Sequence, residues 1–263
     1  MPLGAGSFDS AAETYDAARG FPPGVGEQVA KAAADWIGRG ARVLELGPGT
    51  GRITKPLMAL GMAVTGLDLS RGMMDHLREN TPPGHPPPAL IQGDVVCLPL
   101  AASGFEAVVS VHVFQLIADW GRALAEVRRV LRPGGVFLNG YEWRPPDSPG
   151  ARLMDHWRAI LAAAGQSALA ASGRDFGDLR AALCQLGAAC EERAVGEWTS
   201  TRTLARQLET IEHRTWSRSA GVSAAVYANC LAELKSWAQN EFGALDQARV
   251  VRHRFVWQHF AWP

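Results

Sequence analysis

Ten residues, Val43-Leu44-Glu45-Leu46-Gly47-Pro48-Gly49-Thr50-Gly51-Arg52, constrain the fold of this 263-residue chain more than any other stretch. The apolar half reads as a buried parallel strand. It runs straight into three glycines at alternate positions, and an amphipathic segment from Arg52 to Leu60 follows. Glycines at a strand-to-helix turn let backbone approach a ligand where a Cβ would clash. The first helical N–H groups there remain free to bind. The turn is therefore expected to hold a nucleotide-like ligand.

Spacing narrows the choice of ligand. The dinucleotide fingerprint is G-x-G-x-x-G, with a pyrophosphate at the helix N-terminus. Here the order is Gly47-x-Gly49-x-Gly51, one residue tighter, with Glu45 two positions before the first glycine and no P-loop lysine after it. A second apolar run, Met62 to Leu67, ends in Asp68, about twenty residues past the loop, where doubly wound folds place a carboxylate on ribose hydroxyls. An aspartate at such a position also serves as a helix cap, and Ser70 beside it is itself a candidate N-cap. A third strand, Ala89 to Gln92, leads to Gly93-Asp94-Val95 and Leu98-Pro99-Leu100. The run Phe105 to Val111 reads as a fourth. The run Ala125 to Leu138 then reads as a helix that ends in a Pro133-Gly134-Gly135 turn, after which a fifth strand begins.

Taken in this order, the segments resemble class I S-adenosylmethionine-dependent methyltransferases over about residues 41–141. The loop matches E/D-x-G-x-G-x-G, Gly93-Asp94 with Leu98-Pro99-Leu100 is similar to G-D-A…L-P-F, and Leu131-Arg132-Pro133-Gly134-Gly135 to L-R/K-P-G-G. Glu106 stands where F-D-x-V would have Asp. Phe8-Asp9…Tyr15-Asp16…Arg19 resembles the entry of the ubiquinone/menaquinone-biosynthesis type, the methyltransferase type 11-like family. The resemblance implies S-adenosylmethionine as cofactor and a Rossmann-like doubly wound sheet of seven strands, mostly parallel with the last antiparallel. It divides the chain into an N-terminal helical lid at 1–40, the cofactor-binding core at 41–141, and helical cap insertions with the last two strands at 142–263. The cofactor residues it implies are Tyr15, Arg19, Glu45, Gly47, Gly49, Thr50, Gly51, Asp68, Leu69, Met73, Asp94, Val95 and His112.

Methyl transfer from a sulfonium is an in-line displacement that depends chiefly on holding the reacting atoms about 3–3.5 Å apart. His112, after the fourth strand, is the candidate for a general base, or alternatively packs against the cofactor. Tyr141 and Trp143, after the fifth strand, are candidate substrate-pocket residues; Glu142 between them reads equally as a surface charge. Trp157, Trp198 and Trp216 could line the same site or simply fill a core. The other histidines, His253 among them, carry no assigned role, and Arg128-Arg129 read as solvated surface.

Composition sets outer bounds. Lys plus Arg equals Asp plus Glu at 26 each, so the basic excess usual in a nucleic-acid binder is missing. Where DNA base methyltransferases carry N/D-P-P-Y/F, this chain has Val111-His112-Val113-Phe114, which favours a small-molecule acceptor. The cysteines at 97, 184, 190 and 230 form no metal-like grouping. Scattered thiols, with no leader and no long apolar run, fit a cytoplasmic protein without metal or membrane. Oligomeric state is not legible. The expectation is a small-molecule methyltransferase. A catalytically silent sensor or partner that keeps the cofactor site is the alternative, and the loop spacing disfavours a nucleotide-dependent oxidoreductase.

Overall fold

The structure, a computed structural model, describes residues 20–81, 87–166, 176–213 and 223–262. Helix α1 (Val25–Ile37) leads into strand β1 (Arg42–Leu46), then α2 (Thr54–Ala59), β2 (Ala63–Asp68), α3 (Arg71–Glu79), β3 (Ala89–Gln92) and β4 (Phe105–Val111). After a short 3₁₀ turn come α4 (Trp120–Val130), β5 (Leu131–Trp143), α5 (Pro149–Ala163) and α6 (Phe176–Gln185). The chain closes with β6 (Ala189–Arg202), α7 (Leu204–Glu212), α8 (Ala224–Phe242) and β7 (Arg249–Ala261). One seven-stranded sheet results, in the order β3-β2-β1-β4-β5-β7-β6. Six strands are parallel and the last is antiparallel, the Rossmann-like arrangement expected.

By contacts the chain forms two compact units. Among the described residues the first comprises those within 20–141, 176–196 and 255–262, and the second those within 142–166 and 197–254. The sheet core lies in the first. Leu44, Leu46, Leu67, Val108, Phe137 and Phe260 are buried together there with Ala123, Leu124 and Val127 of α4. Those α4 positions recur at helical spacing, which is why that face packs. Helix α1 joins the same unit through Trp257, whose indole N–H donates to the Val29 carbonyl at 3.0 Å. The second unit has its own core, in which Leu153, Trp157 and Ile160 of α5 meet Leu204, Leu208 and Ile211 of α7 and Tyr227, Leu231 and Leu234 of α8. Trp157 stands edge-on to Tyr227 with ring centroids 5.3 Å apart, so it fills this core rather than lining a pocket. Trp216 lies outside the described residues.

Several local expectations need correcting. No turn separates α4 from β5: Leu131 already pairs with Phe105, and the register next resumes at Ala107 with Val136. Arg132 to Gly135 are looped out between those pairs, with Gly134 at φ 73°, so the Pro-Gly-Gly segment bulges a strand that has already begun. Arg129 is not solvated surface. Its guanidinium bonds Glu126 and donates to the Leu98 and Leu100 carbonyls, because the Leu98-Pro99-Leu100 loop has no strand partner for them. Cys184 and Cys190 form a disulfide between α6 and β6, whereas all four cysteines were expected as free thiols; Cys97 and Cys230 are free. The partners are six residues apart on a segment that turns back through Gly187, which brings them together. Among the described residues no helix is long and apolar enough to cross a membrane.

Candidate functional site

The parallel registers bring the ends of the first five strands to one edge of the sheet. Leu46 is level with Leu67 and with Ser110, Asp68 with Gln92, and Val111 with Gly140. Asp94, Asp68, Gly47, His112 and Tyr141 therefore follow one another along the carboxyl edge, where open α/β sheets bind ligands.

The glycine loop is built by close approach. Gly47, Gly49 and Gly51 all have positive φ, at 66°, 54° and 91°. A Cβ on Gly47 would collide with Val113, and one on Gly51 with Leu77. Gly49 differs: a Cβ there would meet nothing within 4 Å, so this backbone presents an open face. Asp68 holds the loop in place, its carboxylate accepting from the Gly49 N–H at 3.1 Å and the Ser70 N–H at 2.9 Å. Ser70 caps α3 by accepting from the Met73 N–H at 3.2 Å. Each carboxylate oxygen has two acceptor sites, so Asp68 can still receive hydroxyl donors. Leu69 beside it is an exposed large apolar side chain, 42% accessible.

Other residues named from sequence take varied places. Glu45 is buried and accepts from the Thr54 hydroxyl at 2.6 Å. Burial raises its carboxyl to about 7, the Asp68 charge adding to the effect and the Thr54 bond and Arg52 charge opposing it. Thr50 is buried within the loop, while Met73 and Val95 are buried as core residues. Asp94 accepts from the Val96 N–H at 3.1 Å and shapes the turn after β3. His112 has φ 58°, one of two non-glycine residues described there, and its N–H reaches the Gly140 carbonyl at 3.4 Å. A left-handed non-glycine residue at a strand end is costly backbone of the kind that clusters at functional sites. Tyr15 and Arg19 lie outside the described residues. Tyr141 ends the first unit's part of β5, and Trp143 lies in the second unit under the Arg254 guanidinium, 4.5 Å from the ring centroid. Among the described residues no three His, Cys, Asp or Glu side chains gather as a metal site.

Open glycine backbone, two carboxylates at strand ends and an exposed apolar side chain suit a cofactor with a ribose and a flat base and no phosphates. Thr54 and Val113 were missed from sequence. Thr54 carried a signal, since a hydroxyl in the first turn after the loop can meet a buried acid on the preceding strand.

Comparison with known proteins agrees with this geometry. Residues 44–139 match the family described as "Methyltransferase domain". A malonyl-[acyl-carrier protein] O-methyltransferase of Serratia marcescens is 36% identical over 134 residues, 51% of this chain and 50% of that protein. A methyltransferase of Mycobacterium tuberculosis, uncharacterized by name, is 35% identical over 144 residues, 54% of this chain and 53% of that one. The matches thus span about half the length of these relatives. The Haemonchus contortus phosphoethanolamine N-methyltransferase 2, solved with phosphomonomethylethanolamine and S-adenosylhomocysteine, shares the fold at TM-score 0.55 and 19% identity, over 97% of this chain and 58% of that one.

Proposed function

We propose that the chain, whose residues 44–139 match the family described as "Methyltransferase domain", transfers a methyl group from S-adenosylmethionine to a small-molecule acceptor. The observation that carries this reading is the glycine loop, whose open Gly49 backbone is fixed to Asp68. When bound, the cofactor supplies an activated methyl group for in-line displacement. This chain's residues supply position. Gly47, Gly49, Thr50 and Gly51 cradle the cofactor, Asp68 and Asp94 receive its hydroxyl and amino donors, and Leu69 covers its base. Glu45 supports the loop from within the sheet, with Met73 and Val95 packed behind. Tyr15 and Arg19 belong to the same proposal as cofactor contacts, and Tyr141 and Trp143 as acceptor contacts. A cytoplasmic location belongs to this reading too: the free Cys97 and Cys230 support it, and the Cys184–Cys190 disulfide runs against it.

His112 positions the methionine end rather than taking a proton. His112→Ala should then lower cofactor affinity and turnover together and modestly. A base would show instead as a fall of about 10²–10⁴-fold in turnover with affinity kept. Titration calorimetry beside initial rates separates the two. The function itself is tested by supplying methyl-labelled S-adenosylmethionine with fractionated metabolites. Label should pass to an acceptor with wild-type protein and fail to pass with Gly49→Val. No transfer to any fraction, with S-adenosylmethionine bound, would identify a silent binder instead.

A further inference from the structure

The second unit contains a polar cluster that the reading above leaves without a task. Its members come from the ends of three strands and the loop after β5: Glu142, Arg144, Ser200, Arg202 and His253. Glu142 and His253 are almost fully enclosed, their side chains 9% and 1% exposed. The Glu142 carboxylate sits 2.7 Å from His253 Nδ1 and 2.6 Å from an Arg144 η nitrogen, and the Arg144 Nε–H donates to it at 2.9 Å. His253 Nε2 lies 2.7 Å from the Ser200 hydroxyl, and Arg202 Nε–H donates to Ser200 Oγ at 3.3 Å. Trp198 stacks on the His253 ring, with centroids 5.3 Å apart and planes 7° from parallel.

The direction of these bonds follows from what each group can do. A carboxylate only accepts, so Nδ1–H donates to Glu142. Nε2 then accepts the Ser200 proton, which leaves a Ser200 lone pair for Arg202. Burial alone would raise the Glu142 carboxyl, but the His253 bond and the charge and bonds of Arg144 outweigh it and hold Glu142 well below the usual carboxylate range.

One charge is left over. Two guanidiniums face one carboxylate, and a protonated His253 would only widen the gap. Arg144 is engaged by Glu142, and the neighbouring Arg254 by Glu197 at 3.4 Å. Among the described residues Arg202 pairs with no carboxylate, and its only hydrogen bond is the one to Ser200. Partial burial and the Arg144 charge pull Arg202 below its ordinary value, against the weaker pull of Glu142. As a residue it stays exposed. A guanidinium fork short of a counter-charge, oriented through Nε and flanked by a second cation, is complementary to an oxyanion.

We propose that this cluster is an oxyanion-binding site, in which the outward edge of Arg202, beside Arg144, takes a carboxylate or phosphate group of a small molecule. Glu142 and His253 are positioning residues that fix Arg144 and Ser200. This goes beyond the methyl-transfer reading and gives the second unit an acidic ligand of its own.

Titration calorimetry of the full chain with disodium succinate and with sodium phosphate, at constant ionic strength, tests the site. Saturable binding of at least one anion is expected, about ten- to a hundredfold weaker in Arg202→Met, unchanged in Arg158→Gln, and partly restored in Arg202→Lys. Tighter succinate binding would assign a carboxylate, and tighter phosphate binding a phosphorylated ligand. The proposal is overturned if neither anion saturates, or if Arg158→Gln weakens binding as much as Arg202→Met. S-adenosylmethionine affinity, measured on the same samples, should be the same in all four proteins. Wild-type protein that binds S-adenosylmethionine but neither anion would refute this inference alone, whereas wild-type protein that fails to bind the cofactor would refute the methyl-transfer reading.

Discussion

Asp68→Ala is expected to weaken S-adenosylmethionine binding by tenfold or more and to lower the stability of the protein as well. Both effects have one origin. The carboxylate accepts backbone N–H groups from Gly49 and Ser70, tying the glycine loop to the start of α3. Hydrogen bonds to a charged group contribute about 1.5–3 kcal/mol each. Removing the carboxylate frees a loop with three positive-φ glycines, and in the proposed complex it also removes the acceptor for the ribose. Calorimetry and urea unfolding on the same variant separate the two contributions. A drop in stability with unchanged affinity would make Asp68 a staple of the loop and nothing more.

Glu45 predicts a pH dependence of comparable size. Its carboxyl is raised to about 7 in the folded protein, chiefly by burial. The unfolded chain ionises it near the ordinary value, so protonation favours the folded state. The stabilisation is complete below the unfolded pKa, and it is lost as pH rises through about 7. The loss amounts to roughly 3 kcal/mol between pH 4.5 and pH 8. Glu45→Gln keeps the shape and the acceptor for Thr54 but cannot ionise. Urea midpoints of the wild type should fall across that range, and those of Glu45→Gln should stay nearly level and lie higher at pH 8. A wild-type profile as flat as that of the variant would show that Glu45 keeps an ordinary carboxyl.

The parts of the fold legible in sequence are those specified by near neighbours. Leu44 to Gly51 announces a buried strand and a tight turn within eight residues, because burial demands an apolar run and close approach demands glycine. Helix α5 is specified locally too, since Leu153, Trp157, Ile160 and Leu161 repeat at helical spacing. The start of β5 was not, because Pro133 and Gly134 signal a turn whether the chain stops there or merely bulges. The polar cluster was illegible for another reason. His253 and Glu142 are 111 residues apart and His253 and Ser200 are 53 apart, so their meeting depends on the order of strands in the sheet. Nothing local to His253 sets it apart from the other histidines. At the cofactor edge, the acids could be found by their distance from the glycine loop. That Asp68 grips Gly49 could not, since it depends on the loop folding back toward β2, where Pro48 packs over Gly66.

The central claim is that the glycine loop and the acids beside it hold S-adenosylmethionine. The most direct test is thermal unfolding of the full chain with S-adenosylmethionine, S-adenosylhomocysteine or NAD, each at one hundred times its dissociation constant where it binds, or at matched millimolar concentration where it does not. Binding at that excess stabilises the folded state by about 2.7 kcal/mol, a shift of roughly 5–10 °C for a chain of this size. The account predicts that rise with the two sulfur nucleosides, none with NAD, and none with any of the three in Gly49→Val. A rise with NAD and none with S-adenosylmethionine or S-adenosylhomocysteine would contradict it.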